Sequence, residues 1–415
     1  MANLAIWSIS AVATAGVILR AFNLPEAVWA AAGAVALVCL GLLPVESALH
    51  GVGKGLDVYL FLTGMMLLAE IARGTGLFDW LAAEAAAHAR GSARRLFDLV
   101  YLVGILVTIF LSNDATAVVL TPAVAAVIRS ARIVNPLPHL LICAFIANAA
   151  SFVLPISNPA NLVIYGDHMP PLAQWLPRFA LPSVVAIVVT YFILRRTQRE
   201  PLNETLTTTV PVPKLSFYGK TAGAGIAATA VVLMAASAMG WQLGLPTCLA
   251  GVATLALVSV LRRSSPWPFV REISWGVIPL VASLFVLVEG LEKSGAIQAL
   301  SQLLHEHAQR SESLTAGASG LLVGFVSNLV NNLPAGLVAG TAIHAANVPG
   351  SITSAVLIGV DLGPNLSVTG SLATLLWLTA LRREGITIGS LDFLKLGALV
   401  MPPALLLALA AAQLH

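Results

Sequence analysis

Ser112-Asn113-Asp114 interrupts one long apolar stretch of the sequence, and Asn331-Asn332-Leu333-Pro334 interrupts another about two hundred residues later. Each is followed by a further apolar stretch that is itself broken, at Ser157-Asn158-Pro159 and at Gly370-Ser371. In a membrane, the backbone can leave a helix only where protein or a water-filled cavity satisfies its polar groups. Paired breaks at matching places in two halves therefore predict a transporter with a substrate site near the midplane.

The composition is that of an integral membrane protein. Hydrophobic residues make up 58% of the 415 positions and charged residues only 10%, whereas about a quarter of a typical soluble protein is charged. The isoelectric point is near 8.9, but the formal charge is only +3 and the basic residues lie between apolar stretches. These residues therefore indicate membrane topology, and no nucleic-acid partner is expected.

The N-terminus and the cysteines indicate neither a cleaved signal peptide nor a disulfide or metal site. The chain begins Met1-Ala2-Asn3-Leu4, without the basic start of a signal peptide, so the first apolar stretch is expected to remain as a helix. The three cysteines stand alone in separate apolar stretches, at Cys39, Cys143 and Cys248. We expect no disulfide framework, no structural metal site and no cofactor.

A bilayer core takes about 20 apolar residues as a helix, and this length predicts ten spans. Two of them are overlong and contain helix breakers: Pro155 and Pro159 in one, and Gly363-Pro364 with Gly370 in the other. Both are expected to be discontinuous helices. The predicted spans are 3–20, 27–43, 56–72, 138–166, 176–196, 217–239, 243–262, 274–291, 349–381 and 391–413.

The stretches 95–131 and 313–345 are also apolar, but the polar residues quoted first break them in the middle. Each half is too short to span a bilayer comfortably, so both stretches are expected to be re-entrant hairpins. The predicted fold class is an all-α polytopic membrane protein. Specifically, it is an inverted-repeat transporter with about ten transmembrane helices, two re-entrant hairpins and two discontinuous helices.

The charge distribution predicts the orientation. With the gap at 195–220 on the inside, 18 of the 22 basic residues lie on the cytoplasmic side, as expected in a bacterial cytoplasmic (inner) membrane. Only Lys54, Arg178, Lys293 and Arg310 then lie outside. Both termini are predicted outside, the first hairpin enters from the cytoplasm, and the second enters from the opposite face.

The two halves also match in sequence. An offset of 219 positions carries Glu70–Gly76 onto Glu289–Gly295 and the first tip asparagine onto the second. An offset of 213 carries Ser157–Leu162 onto Gly370–Leu375. The predicted division is N-terminal helices at 1–55, a first inverted repeat at 56–199, a cytoplasmic linker at 200–216, helices opening the second half at 217–273, and a second repeat at 274–415.

Polar residues at the breaks are the candidate substrate ligands. Half-helix N-termini supply N–H groups with partial positive charge, and Asn, Ser and Thr add neutral donors and acceptors. Such a site suits a small, oxygen-rich solute, although the same residue types also cap broken helices or bond between helices. The candidates are Ser112, Asn113, Thr116, Ser157, Asn158 and Asn161 in the first half, and Asn328, Asn331, Asn332, Thr369, Ser371 and Thr374 in the second.

Asp114 and Asp361 are the carboxylates placed deepest beside these breaks. A charge inside the membrane is costly, so an intramembrane acid indicates function. Burial also favours the protonated form of a carboxyl group. Both residues are therefore candidates for proton coupling, with capping of a half-helix as the alternative role, most strongly for Asp361.

Other polar features are expected to be structural or peripheral. Glu70 and Glu289 lie near helix ends, where interfacial ion pairs with the neighbouring Arg73 and Lys293 are predicted. His305-Glu306-His307 lacks the spacing of a zinc-binding HExxH motif and lies in a polar external stretch. The sequence contains no nucleotide-binding P-loop, so the chain is not expected to use ATP itself by that route.

In two neighbouring segments, Gly359-Val-Asp-Leu-Gly-Pro-Asn365 and Thr369-Gly-Ser-Leu-Ala-Thr-Leu-Leu-Trp377, the sequence resembles the bacterial arsenite/antimonite efflux carriers of the ion transporter superfamily. The Asn113-Asp114 tip, the Ser157-Asn158 break and Asn331–Pro334 fit the same family, so the resemblance covers essentially the whole chain. It implies export of trivalent arsenic and antimony, driven by the proton gradient. The implied partners are the substrate, protons, membrane lipid and, in some members, a soluble arsenite-stimulated ATPase subunit.

The residues agree with that resemblance. Trivalent arsenic at neutral pH is mostly an uncharged trihydroxide, which hydroxyl and amide groups can hold through hydrogen bonds. No Arg or Lys lies near either break in the sequence, whereas a dicarboxylate carrier is expected to need positive charge. Coordination by cysteine is disfavoured, because tight thiolate binding hinders release and the three thiols do not cluster.

The predicted mechanism is alternating access. The site loads the neutral trihydroxide from inside, and proton binding at Asp114, with Asp361 as the second candidate, drives the return from outside. The nearest alternative is a sodium/proton antiporter or an organic-anion carrier on the same architecture, since a fold does not determine its cargo. More distant alternatives are a channel and a membrane-embedded enzyme, although the spans lack an HExxH motif or a Ser/His pair.

Overall fold

The computed structural model describes residues 2–20, 22, 24–204 and 212–414. Within these ranges the regular structure is helical and there is no β-strand, which confirms the all-α fold class. Of the predicted linker 200–216, residues 205–211 lie outside the described ranges. The described part of the linker contains a 3₁₀ turn at Pro201–Asn203.

The first half contains two apolar helices and a short one, then a long helix, a shorter helix, a broken hairpin, a broken helix and a long closing helix. A π-helical turn at Thr116–Leu120 lies inside the hairpin. In chain order the helices are α1 (Ala2–Leu19), α2 (Glu26–Cys39), α3 (Val45–Lys54), α4 (Leu56–Gly74), α5 (Leu77–His88), α6 (Ala93–Phe110), α7 (Asn113–Ala115), α8 (Thr121–Ser130), α9 (Leu137–Ala149), α10 (Pro159–Tyr165) and α11 (Leu172–Thr197).

The second half repeats this order. Its hairpin consists of two helices, without the extra short helix and π-helical turn of the first. The helices are α12 (Phe217–Ala238), α13 (Gly244–Arg262), α14 (Trp267–Glu272), α15 (Val277–Lys293), α16 (Ala296–Arg310), α17 (Glu312–Val330), α18 (Asn332–Ala346), α19 (Gly350–Leu362), α20 (Leu372–Arg383) and α21 (Ser390–Ala412). The shared order also includes the helices that precede residues 56 and 274, which lie outside the predicted repeats. The boundaries of the repeats therefore stay a prediction.

Six of the described helices are long and apolar enough to cross a bilayer: α1, α11, α12, α13, α17 and α21. Together, α3 and α4 form a further candidate span that bends by 48°. The other predicted spans consist of shorter helices, namely α2, α15 and the broken pairs α9–α10 and α19–α20. These two broken pairs confirm the predicted discontinuous helices.

The first arms of the hairpins are longer than expected. α6 has 18 residues and α17 has 19, and α17 alone is long enough to span a bilayer. The expectation that every hairpin half is too short to span is therefore wrong for α17. Ser92 and Ser311 cap the N-termini of these arms, so each helix begins in the polar sequence that precedes its apolar part.

Both hairpins nevertheless fold back on themselves. His305, in α16 just before the second hairpin, donates from Nδ1 to the carbonyl oxygen of Ala346 at the end of α18 (3.0 Å). The second hairpin therefore ends close to where it starts. In the first half, His139 at the start of α9 donates from Nε2 to the carbonyl of Ala93 at the start of α6 (3.1 Å).

Helices of one half pack against those of the other. α2 packs on α15. In the same way α13, which holds the place of α2 in the second half, packs on α4, and the closing helices α11 and α21 pack together. Glycines permit close approach within these contacts. A Cβ atom on Gly251 of α13 would lie 2.7 Å from the carbonyl oxygen of Gly64 in α4. The two halves therefore form one interlocked body around the helix breaks.

Candidate functional site

Both hairpin tips turn at a non-glycine residue with a strained backbone. Ser112 has φ +146° and ψ +166°, and Asn331 has φ +71° and ψ +153°. Glycine ordinarily occupies this region, and another residue there costs about 1–3 kcal/mol. The two positions are equivalent, because each immediately precedes a tip asparagine, Asn113 or Asn332. Strain at the same point in both halves indicates that the tips have a functional role.

The first tip is bonded within the hairpin and to the first helix break. Ser112 Oγ accepts from a backbone N–H three residues later (3.3 Å) and so caps the second arm. The hydroxyls of Thr108 and Thr116 lie 2.8 Å apart and join the two arms. Ser157 Oγ donates to the carbonyl of Ile109 (3.1 Å). The first tip and the first break therefore form one hydrogen-bonded unit.

The second tip is attached to the second break in the same way. The backbone N–H of Asn332 donates to the carbonyl of Gly370 (2.9 Å). The Asn331 amide donates to the carbonyl of Thr369 (3.5 Å), and the Thr369 hydroxyl donates to the carbonyl of Asn328 (3.0 Å). Each hairpin is thus held by the broken helix of its own half.

Asp361 is fully buried where the two broken helices meet. Its Oδ1 accepts from Asn158 Nδ2 (2.8 Å), and its Oδ2 accepts from Ser151 Oγ (2.7 Å). Ser151 Oγ also lies 2.7 Å from the carbonyl oxygen of Asn148. These contacts connect a carboxyl group of the second half to the break in the first half.

Asn148 is the counterpart of Asp361, at the same offset of 213 residues that relates the two breaks. Its Nδ2 donates to Asn365 Oδ1 (3.0 Å) and to Thr374 Oγ1 (3.4 Å), both in the second half. The Thr374 hydroxyl lies 2.9 Å from that of Ser371. The contacts between the halves are therefore reciprocal, since each broken helix places one polar side chain against the other break.

A cavity of about 70 Å³ lies beside the first tip, and roughly 10–15 Å³ is enough to hold one water molecule. Its lining includes the polar residues Ser112 and Asp114 of the tip and the acidic residues Glu70 and Glu272. The remaining lining residues are mostly apolar and come from α4, the π-helical turn, the start of α10, the segment that leads into α15, and α20. Within the described part of the chain, the Asp114 carboxylate has no hydrogen-bond partner. The cavity can therefore admit a small solute to a free carboxyl group.

Two acidic residues of the cavity lining, Glu70 and Glu272, lie close to one arginine. Arg73 bonds to the Glu70 carboxylate at 2.5 and 2.9 Å, and its guanidinium is 3.8 Å from Glu272. Among the described residues, no Lys or Arg lines the cavity itself. The lining therefore favours neutral or positively charged solutes over anions.

The second tip faces a much smaller space. Asn331 lines a cavity of about 10 Å³, together with Leu333, Pro334 and Glu26. This volume is close to that needed for a single water molecule, roughly 10–15 Å³. The two tips are thus related in backbone geometry, but the cavity described beside the first is about seven times as large as the one described beside the second.

The structure places the predicted site residues in two settings. Ser112 and Asp114 line the larger cavity, and Asn331 lines the smaller one. The others belong to the hydrogen-bonded framework around the tips and breaks; Asn161, for example, donates to the carbonyls of Ser151 (3.0 Å) and Pro155 (3.2 Å). The framework residues are Asn113, Thr116, Ser157, Asn158, Asn161, Asn328, Asn332, Asp361, Thr369, Ser371 and Thr374.

Sequence reasoning missed Thr108, Asn148, Ser151 and Asn365, although all four bond to the predicted residues or to one another. The offset of 213 applied to Asp361 finds Asn148 directly. Thr108 and Ser151 lie inside apolar stretches, away from any obvious break. Nothing in the sequence marks them as site residues.

The predicted interfacial ion pairs are confirmed for both acids, with one change of partner. Glu70 pairs with Arg73, as expected. Glu289 pairs with Lys54 (2.8 Å), instead of Lys293, whose ammonium group donates to the hydroxyl of Ser47. The expected partner was wrong because Lys54, at the end of α3, comes close to α15 only in the folded protein.

Known proteins with similar sequences and structures are membrane transporters. The chain is 26% identical over 364 residues to an arsenical pump membrane protein of Escherichia coli, covering 85% of this chain and 84% of that protein. This finding confirms the resemblance noted in the sequence.

Among solved structures, the Alcanivorax borkumensis YdaH transporter is similar, with a TM-score of 0.56 and 17% identity over 89% of this chain and 86% of that one. The Neisseria gonorrhoeae efflux pump MtrF gives a TM-score of 0.57 and 15% identity over 89% and 83% of the two chains. These structures support the polytopic transporter fold. The sequence model of the CitMHS family, described as citrate transporter, matches residues 6–362. Because that match covers most of the chain, the protein belongs to the CitMHS transporter family.

Proposed function

We propose that this chain is a secondary active transporter that exports trivalent arsenic, as arsenite or arsenous acid, and antimonite by proton antiport. The observation that carries the proposal is the cavity at the first tip, which Ser112 and Asp114 both line and whose described lining contains no Lys or Arg. The printed names of similar proteins, arsenical pump membrane proteins, support the same cargo.

The lining chemistry fits an uncharged trihydroxide. Such a molecule carries three hydroxyl groups, each of which can donate and accept a hydrogen bond. Ser112 and Asp114 both line the cavity, and a hydroxyl and a carboxylate are the kinds of acceptor that these hydroxyls need. Neither group forms a strong bond to arsenic, and release is therefore easy. The framework residues around them act in this proposal as the support that holds the two ligands in position.

Asp114 is the proposed proton carrier. Asp114 lines the cavity, and its carboxylate accepts no hydrogen bond from the described residues, so in this proposal a proton reaches it from water in the cavity. Asp361 is the second candidate, but it is fully buried and both of its oxygens accept hydrogen bonds. In this mechanism, neutral substrate leaves for the outside, and a proton on Asp114 allows the empty carrier to return.

The competing function is an organic-anion carrier, and the family description, citrate transporter, favours it. A citrate carrier needs positive charge at its site, because several carboxylates must be held out of water. The cavity instead presents Glu70, Asp114 and Glu272, with Arg73 already paired. This charge balance favours the neutral cargo. Sodium/proton antiport on the same fold remains the other alternative.

Transport in everted membrane vesicles tests the proposal. Trivalent arsenic uptake is measured with a pH gradient (acid lumen) and a sodium gradient imposed separately, and citrate and antimonite are added as competitors. We expect uptake under the pH gradient alone, competition by antimonite and none by citrate. If neither gradient moves arsenic, or if citrate is the substrate transported, the proposal is wrong.

The location and partners belong to the same proposal. The proposed location is the cytoplasmic membrane with both termini outside, and the distribution of basic residues supports it. A soluble arsenite-stimulated ATPase is a further expectation, and the same vesicle assay tests it. Uptake that needs ATP and an added cytosolic fraction, even with a pH gradient present, would assign the energy source to such a subunit.

A further inference from the structure

Four arginines converge on one cavity at the end of α11, far in sequence from the hairpin tips. The cavity has a volume of about 380 Å³ and is lined by Arg94, Phe192, Arg195, Arg196, Arg199 and Leu202. The spacing of residues 192, 195, 196 and 199 places their side chains on one face of a helix and its continuation. Arg94 approaches from the first turn of α6, the first arm of hairpin one.

The cavity has an excess of positive charge. Arg195 pairs with Asp98 (3.0 Å), and Arg94 donates to the neutral side chain of Asn203. Within the described ranges, Arg196 and Arg199 have no carboxylate in ion-pair distance. Among the described residues, only one carboxylate, that of Asp98, therefore lies in ion-pair distance of any of the four guanidinium groups. Guanidinium groups bind phosphate through paired, charge-assisted hydrogen bonds, so an anionic phosphate is the ligand that this cluster suits.

An apolar stripe leads along α11 to the arginines. Leu181, Val184, Val188 and Phe192 are all exposed and recur every three or four residues on the same helix face. α11 is one of the helices long and apolar enough to span a bilayer, so this stripe faces acyl chains. A free phosphate ion would gain nothing from the stripe, whereas a phospholipid can use both features at once.

We propose that this cavity binds the headgroup phosphate of an anionic phospholipid, with an acyl chain along the stripe of α11. Basic pockets at the membrane surface bind such headgroups. The bound phosphate joins Arg94, at the base of the first hairpin, to the arginines at the end of α11. A membrane lipid thereby fixes the base of the hairpin whose tip lines the substrate cavity.

Native mass spectrometry of the purified full-length chain in neutral detergent tests this assignment. Phosphatidylglycerol, cardiolipin and phosphatidylcholine are titrated separately, and soluble glycerol phosphate and inorganic phosphate serve as headgroup probes. The test variant is Arg196→Gln with Arg199→Gln. The matched control is Arg382→Gln with Arg383→Gln, which removes two exposed arginines from the end of α20, outside the cavity.

We expect the wild type and the control to retain phosphatidylglycerol and cardiolipin in preference to phosphatidylcholine. The test variant should bind the anionic lipids roughly 30-fold more weakly, since each arginine near the surface adds about fivefold. Arg94→Gln, on a different helix, should also weaken binding, which guards against a local folding defect in the double variant. Equal retention by the test variant, equal retention of phosphatidylcholine, or equally tight binding of the soluble phosphates would overturn the proposal.

Discussion

At the scale of single residues, Ser112 combines a strained backbone with a hydroxyl that faces the cavity. Replacement by glycine relieves the strain and removes the hydroxyl, whereas replacement by alanine only removes the hydroxyl. We expect both variants to bind arsenite about three- to tenfold more weakly, the usual value of one hydrogen bond. The alanine variant should also be less stable than the glycine variant, by about 1 kcal/mol. Initial rates in everted vesicles and thermal unfolding measure the two effects, and unchanged arsenite affinity in both variants would exclude Ser112 as a ligand.

Asp114→Asn tests the proton carrier. The amide keeps the size and polarity of the side chain but cannot carry a proton on and off, so we expect the pH gradient to lose its effect on arsenite uptake, with the driven rate at least tenfold lower. Asp392→Asn, which changes an exposed carboxylate of α21 outside the cavity, is the control and should transport normally. Full proton-coupled uptake by Asp114→Asn would remove this residue from the mechanism.

We expect substitution of Asp361 to lower the stability of the protein. Asp361→Leu leaves the amide donor of Asn158 buried without its acceptor, which costs about 1–3 kcal/mol, while the Ser151 hydroxyl can still donate to the carbonyl of Asn148. Asp361→Asn retains an oxygen that can accept from Asn158, so it should cost less than Asp361→Leu. Thermal unfolding in detergent compares the two. Similar melting temperatures for wild type and Asp361→Leu would show that the buried network contributes little.

At the scale of elements, the packing of α19 on α17 depends on glycine. A Cβ atom on Gly359 would lie 2.1 Å from the carbonyl oxygen of Gly320, so Gly359→Ala must push two backbones apart. We expect a loss of about 1–3 kcal/mol, as for other overpacked sites. Gly53→Ala in α3 is the control, because no atom lies within 4 Å of its added methyl group. If both variants melt at the same temperature, the close contact between α17 and α19 does not contribute to stability.

The sequence predicted the helix breaks well, because polar residues and prolines interrupt apolar stretches at those positions. It did not predict the length of α17, since a capped helix can continue into polar sequence. The sequence did not predict which residues of the two halves contact each other across the breaks. Asn148 and Ser151 face Asn365 and Asp361 from the other half of the chain, and the helix period does not say which distant element a side chain meets.

At the scale of the whole molecule, the orientation can be tested by thiol labelling. Glu272, which lines the cavity beside the first tip, and Gln242, between α12 and α13, are both exposed. In a version with Cys39, Cys143 and Cys248 changed to alanine, Glu272→Cys should react with an impermeant thiol reagent only from the cytoplasmic side. Gln242→Cys should react only from the other side, in intact cells. The reverse pattern would invert the predicted topology.

The halves are joined more closely than any linear division of the sequence indicates. α2 packs on α15 while α13 packs on α4, so neither half is a separate unit. Access to the tips nevertheless differs, with about 70 Å³ beside the first and about 10 Å³ beside the second. Sequence symmetry predicted equivalent breaks, and it could not show this difference, because cavity size depends on how the helices of both halves are positioned.

The hydroxyl of Ser151 has a further consequence. It carries a single hydrogen, yet its oxygen lies 2.7 Å from both the Asp361 carboxylate and the carbonyl of Asn148. With Asp361 ionised, the hydrogen points to the carboxylate. With Asp361 protonated, the hydroxyl can turn to Asn148 and accept the acid's own hydrogen. Rotation about one bond thus satisfies both charge states, so the core of the protein can gain or lose a proton without rearranging its helices.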